Sequence, residues 1–260
     1  MERPRALARA QFQAVPRATP RIRLRVVVTA GYGAGATMDT DPVFPILLSL
    51  RVAALALVVV GPLGIALAFV QARRRYPLQR LVDAGVLLPL VLPPSVIGFF
   101  LVVAFGHRGP LGRALEAALG VRVIFTEAAA VLAAAVVALP MVVKTAQPAI
   151  EAVPPELEDV GRSLGLGPLA LFFRVTLPCA WRGVLAATVL GFARALGEFG
   201  ATRMFAGDIP GRTNTMPVEV FAAYQAGDDR RAALYVAVLT ALSIGVVLAA
   251  ARLAPRGATR

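Results

Sequence analysis

Five apolar runs dominate the chain, at 46–70, 81–105, 125–143, 184–205 and 232–251, and polar stretches separate them. Each approaches or exceeds the roughly 20 helical residues that cover about 30 Å of hydrocarbon. None alternates with period two, which argues against a β-barrel. Backbone groups in lipid must pair within their own segment, so each run is predicted to be a helix. The predicted fold class is therefore an all-α integral membrane protein with about five transmembrane helices.

The runs differ in texture. The first leads into Gln71-Ala-Arg-Arg-Arg-Tyr-Pro, where arginines can snorkel to headgroups and Tyr76 suits an interface. The second contains LPLVLPPSVIG (88–98), and its prolines must kink or break the helix. Two readings of Pro93, Pro94 and Ser95 stand at this point, packing kinks or the lining of a path. The third run is rich in alanine and so suits close packing inside a bundle. The fourth carries Arg194 and Glu198 four residues apart, on one helical face. Charges inside a span face a partner or a cavity, so this pair either fixes packing or borders a substrate route. Gly191, Gly197 and Gly200 suggest close helix contact, and turn residues mark 206–217 as a loop.

A polar segment, PPELEDVGRSLG (154–165), interrupts this apolar pattern. Pro155 can open a helix, and Glu156, Glu158 and Asp159 would then lie in its first turn, where the helix dipole favours acids. Leu157, Val160 and Leu164 form one apolar stripe, with Arg162 and Ser163 between them, and Gly165 can end the helix in the left-handed conformation. A helix this short is not stable alone in water, so it is either a solvated connector or a helix gripped by a partner.

Composition agrees with the membrane class: 58% of residues are hydrophobic and the mean hydropathy is +0.72. The net charge of +12 is less informative, because residues 1–37 carry seven arginines against one acid. That stretch reads either as a basic surface-binding tail or as sequence ahead of a start at Met38, with Met38 preferred. Counted from Met38, the polar stretches 71–80 and 144–183 and the carboxyl tail hold eleven Lys and Arg, against six on the other side. The positive-inside bias then places the amino terminus outside and segment 144–183 in the cytoplasm. Adding the seven arginines ahead of Met38 reverses the count, thirteen to eleven. The single cysteine, Cys179, excludes a disulfide within the chain and is read as a small apolar filler. His107, the lone histidine, reads as a solvated loop residue.

The spacing Asp159-Val160-Gly161, then Gly165, then VTLP (175–178) resembles the "EAA" loop of binding-protein-dependent ABC importer permeases. Gly165, Leu177 and Pro178 match that pattern, while Asp159, Val160 and Gly161 stand where the family usually has Glu-Ala-Ala. FARALGEFGAT (192–202), AGDIPGRTNTMP (206–217) and LPLVLPPSVIG narrow the resemblance to molybdate importer permeases. Sulfate and tungstate permeases share much of it. The resemblance covers about 40–253 and implies a type I permease domain over 44–253, with 154–178 as a cytoplasmic coupling loop. It further implies a second copy of the chain, two ATPase subunits that bind Mg-ATP, and an extracytoplasmic oxyanion-binding protein in a bacterial inner membrane. No cofactor is then expected on this chain, and no nucleic acid. No phosphate-binding Gly-x-x-x-x-Gly-Lys-Ser/Thr loop is present in the sequence. A membrane-embedded enzyme is the rival reading, but the spans offer mainly Arg51, Asp83, Glu127, Arg194 and Glu198 as chemistry. A purely structural membrane subunit would not need the coupling loop.

Overall fold

The computed structural model describes residues 41–253. Residues 1–37 and the proposed start at Met38 lie outside the described residues. Within them the regular elements run α1 (Phe44–Arg73), α2 (Gln79–Val91), α3 (Pro94–Phe105), α4 (Pro110–Leu119), α5 (Glu127–Glu151), α6 (Pro155–Ser163) and α7 (Pro168–Leu171). A π-helical turn (Phe172–Thr176) then leads into α8 (Leu177–Leu196), α9 (Gly200–Phe205), α10 (Met216–Gln225) and α11 (Asp229–Leu253). Four stretches are long and apolar enough to cross a membrane, namely Phe44–Arg73, Glu127–Glu151, Pro168–Leu196 and Asp229–Arg252; the bent pair α2–α3 makes a fifth.

The second apolar run is thus two helices meeting at 113°. Leu92 is extended, at φ −73° and ψ 143°, as a residue before proline must be. Pro93 lacks the amide that would continue the ladder, and Pro94 opens α3. Pro89 stays inside α2. The pair still traverses the bundle. Asp83 of α2 meets Lys144 near the carboxyl end of α5, whereas the Phe105 ring of α3 makes a tilted contact with Phe205 of α9, close to the amino end of α5, where the Phe125 amide donates to the Phe205 carbonyl.

Two other boundaries move. α5 runs past Val143 to Glu151, and helix resumes at Pro168, so the connector between these spans shrinks to 152–167 with α6 inside it. The fourth apolar run breaks after Leu196 and restarts as α9. α1 and α5 run parallel, and α8 runs against both. Small residues set their separation. A Cβ on Gly64 of α1 would lie 2.8 Å from Val142 Cγ1, and Gly183 and Gly191 of α8 press as closely on Ala149 and Val142. Ala129, Ala130, Ala133 and Ala134 of α5 are fully buried, so the alanine-rich run does pack inside the bundle.

Candidate functional site

Helix α6 begins at Pro155 and has Glu156 and Glu158 in its first turn and Arg162 in its last. Asp159, expected in the first turn, lies just beyond it. Gly165 follows the helix with φ +84°, the left-handed stop anticipated for it. The apolar stripe is unburied: Leu157, Val160 and Leu164 are 46%, 58% and 77% exposed. Glu156, Asp159 and Ser163 are exposed beside it.

The opposite face of α6 holds what the sequence did not reveal. Glu158, placed by sequence in the first turn beside Glu156, is turned inward and only 2% exposed. Its Oε1 accepts from Arg73 Nε at 2.9 Å and from the Thr176 hydroxyl at 2.8 Å. Arg73 Nη2 also donates to the Val153 carbonyl at 2.7 Å, and Arg162 bridges Asp159 at 2.6 Å and Glu158 Oε2 at 3.4 Å. Gly161 is buried on the same face, and a Cβ there would lie 2.6 Å from Leu171 Cδ1. By sequence Arg73 is one of three adjacent arginines suited to snorkelling. Its partner lies 85 residues away, and nothing local distinguishes it from Arg74 or Arg75.

At the loop end, Leu177 is half-buried and Pro178 is exposed. Cys179 is also exposed and so is not the filler expected of it. With Leu157, Pro178 and Trp181 it borders a groove of about 510 Å³ beside α6.

Deeper in the bundle, the two helix breaks adjoin. A Cβ on Gly200 at the start of α9 would lie 3.0 Å from Pro94 Cβ and 3.1 Å from the Ser95 amide, and Pro93 forms the corner before them. Arg194 and Glu198 do pair, at 3.0 Å, with the side chains 25% and 2% exposed. They do not share one continuous helix, however, because α8 ends at Leu196. Glu198 lies in the break, and its Oε1 accepts the Ala201 amide at 2.8 Å, so it also satisfies an orphan donor of α9.

Further polar pairs had no sequence signal as pairs. Arg51 meets Glu127 at 2.9 Å and Lys144 meets Asp83 at 2.5 Å. Ser49 accepts the Met216 amide at 2.7 Å, tying α1 to the first residue of α10. At α4, Arg122 donates to Glu116 at 2.8 Å. That bond is the main cause holding the Glu116 carboxyl below its ordinary value. His107, 73% exposed, stands 3.5 Å from the same carboxylate. Among the described residues no three His, Cys, Asp or Glu converge as a metal site.

A parallel-and-antiparallel bundle of broken spans, with a short amphipathic helix projecting from one end, is the architecture of ABC importer permeases. The inward-facing MetNI methionine ABC transporter matches with TM-score 0.58 at 18% identity, over 82% of this chain and 92% of that one. A crystal structure of an amino acid ABC transporter matches with TM-score 0.54 at 17% identity, over 82% and 93%. A profile of the family described as binding-protein-dependent transport system inner membrane component matches residues 61–257. The chain belongs to that family and is a multi-pass inner-membrane protein.

Among relatives, the molybdenum transport system permease protein ModB of Escherichia coli (strain K12) is 43% identical over 187 residues, 72% of this chain and 82% of that protein. ModB of Mycobacterium tuberculosis (strain ATCC 25618 / H37Rv) is 43% identical over 205 residues, 77% of each. The putative molybdenum transport system permease protein YvgM of Bacillus subtilis (strain 168) is 38% identical over 199 residues, 76% of this chain and 88% of that one.

Proposed function

We propose that this chain is the membrane-spanning permease subunit of an importer for a tetrahedral oxyanion, molybdate, driven by ATP hydrolysis on a separate ATPase. The unburied stripe of Leu157, Val160 and Leu164 carries the coupling part of this reading. Three apolar side chains on a nine-residue helix and its C-cap are left in water unless a partner covers them. The cargo rests on the relatives, named as molybdenum permeases. In this reading α6 is cytoplasmic, the amino terminus of α1 is outside, and two copies of the chain meet two ATPase subunits, which bind the Mg-ATP. A binding protein delivers the anion at the outer face.

Arg194 is compensated by Glu198, and Glu198 also caps α9. We therefore read the pair as the clasp of the break between α8 and α9, beside Pro93, Pro94 and Ser95, rather than as a free anion site.

One preparation tests the whole reading: vesicles holding the permease, ATPase and binding protein, with radiolabelled molybdate uptake competed by tungstate and sulfate. Leu164→Asp should abolish uptake and ATPase stimulation while the permease stays in the membrane, since a charge buried unpaired at an interface costs several kcal/mol. Unchanged uptake in that variant removes α6 as the coupling helix, and stronger competition by sulfate than by molybdate changes the cargo. For orientation, a cysteine at Gly211 in a Cys179→Ala background should react with an impermeant thiol reagent from outside, and one at Gly165 should not.

A further inference from the structure

A helix pushed by an ATPase moves the membrane spans only if it is fixed to them. α6 is joined to the chain on both sides by non-helical residues, which alone would let it swing. Apolar contacts resist separation but permit sliding, whereas charge-assisted hydrogen bonds are directional and resist shear. The buried side of α6 offers one such attachment. Glu158 Oε1 receives both Arg73, in the last turn of α1, and Thr176, which is fully buried at the end of the π-helical turn leading into α8. Arg73 in turn holds the Val153 carbonyl ahead of α6. One carboxylate therefore joins three elements. One helical turn along, Gly161 lets α6 seat directly on Leu171 of α7. The widened turn at Phe172–Thr176 is a π-helix, a form found mostly as single-turn bulges and frequently at functional sites.

We propose that Glu158 and Arg73 form a pin that transmits displacement of α6 to α1 and, through Thr176, to α8; this rests on α6 being the coupling helix. Glu158 and Arg73 are positioning residues that touch neither ATP nor cargo. Glu156 and Asp159, exposed on the same helix, have no part in the pin.

The test uses the complete complex in vesicles. Glu158→Gln keeps an acceptor for Thr176 and removes the charge that holds Arg73. Uptake per ATP hydrolysed should fall by about tenfold, within the range of typical coupling between sites, while assembly and stimulation of the ATPase by loaded binding protein persist. Thr176→Val removes one bond to the same oxygen and should give a smaller fall in the same ratio; it carries the test if Glu158→Gln does not assemble. Nitroxide labels at Ser163 and Arg75, both exposed, in a Cys179→Ala background should report one narrow distance, with and without ATP. That distance should broaden in Glu158→Gln. Equal losses of uptake and hydrolysis, an unchanged ratio, or a wild-type distance that shifts with nucleotide each overturn the pin. If wild-type permease fails to stimulate the ATPase at all, the coupling reading falls instead. The width of the label distance in the two proteins then still judges whether the pair fixes α6.

Discussion

Helices α4 and α6 obey the same local rules and end up with different attachments. α4 has 10 residues, opens at Pro110 and stops at Gly120 with φ 65°; α6 has 9 residues, opens at Pro155 and is followed by Gly165 with φ 84°. Each carries apolar residues in the open, Leu111 and Leu119 on α4 and Leu157, Val160 and the C-cap Leu164 at α6. The contrast lies on the other face. α4 buries no residue, and its acid, Glu116, pairs at the surface with Arg122. α6 buries Glu158 and Gly161, and its acid reaches two other elements of the bundle. Start and stop signals decide that a helix forms; an inward polar group and a glycine decide whether it is fixed.

The sharpest way to test the value of such an inward group is the buried pair at the α8–α9 break. Arg194→Leu strands Glu198, which is 2% exposed, and should cost about 3–5 kcal/mol or abolish the folded protein. The double variant Arg194→Leu/Glu198→Leu should recover most of this, but not all. Glu198 also accepts the Ala201 amide, and losing a cap costs about 1 kcal/mol. Thermal unfolding of the detergent-solubilised protein measures each step. Full recovery in the double variant would deny the capping role, and wild-type behaviour in Arg194→Leu would deny the clasp.

A smaller effect separates the two short helices directly. Gly161→Val drives a side chain into Leu171, where even a Cβ would sit at 2.6 Å, and overpacking typically costs about 1–3 kcal/mol. The matching change on α4, Ala117→Val at an exposed position, should shift unfolding by no more than about 0.5 kcal/mol. Equal shifts from the two would mean that α6 is held no more tightly than α4.

Much of this was legible because membrane helices are written in composition and period. The five runs, the class, the extent of α6 and its outward stripe follow from apolar length, Pro155 and Gly165. The breaks were only half visible. Pro93 and Pro94 announced a kink, but its size depends on how α3 packs on α9 through Gly98, Gly200 and Ala201. The end of α8 carries no proline, and the four-residue spacing of Arg194 and Glu198 suggested a helix that in fact stops between them. The pairing of Arg73 with Glu158 was not legible at all. A charge pair is written in sequence only when its members are a helical turn apart, and these are brought together by the packing of α1 against α5. The dipole argument places the acids of α6 along the axis but says nothing about face, so it could not single out Glu158 as the inward one.

The weakest effect belongs to α4. Glu116→Gln removes the carboxylate that accepts from Arg122 and stands beside His107. Arg122 and His107 are well exposed and Glu116 is partly so, and surface pairs contribute little because water and salt screen them while two side chains lose freedom. Unfolding and uptake near neutral pH should therefore match the wild type closely, and raising the salt should erase what difference exists. The sign with pH is also fixed. Glu116 is held below its ordinary value chiefly by the Arg122 hydrogen bond, so its contribution is present above the unfolded carboxylate pKa, about 4.3. That contribution is lost as pH falls through the folded value. Stability curves of the wild type and Glu116→Gln should accordingly converge in acid. A large loss at neutral pH would show that α4, like α6, is fixed by its acid, and the contrast between the two helices would fail.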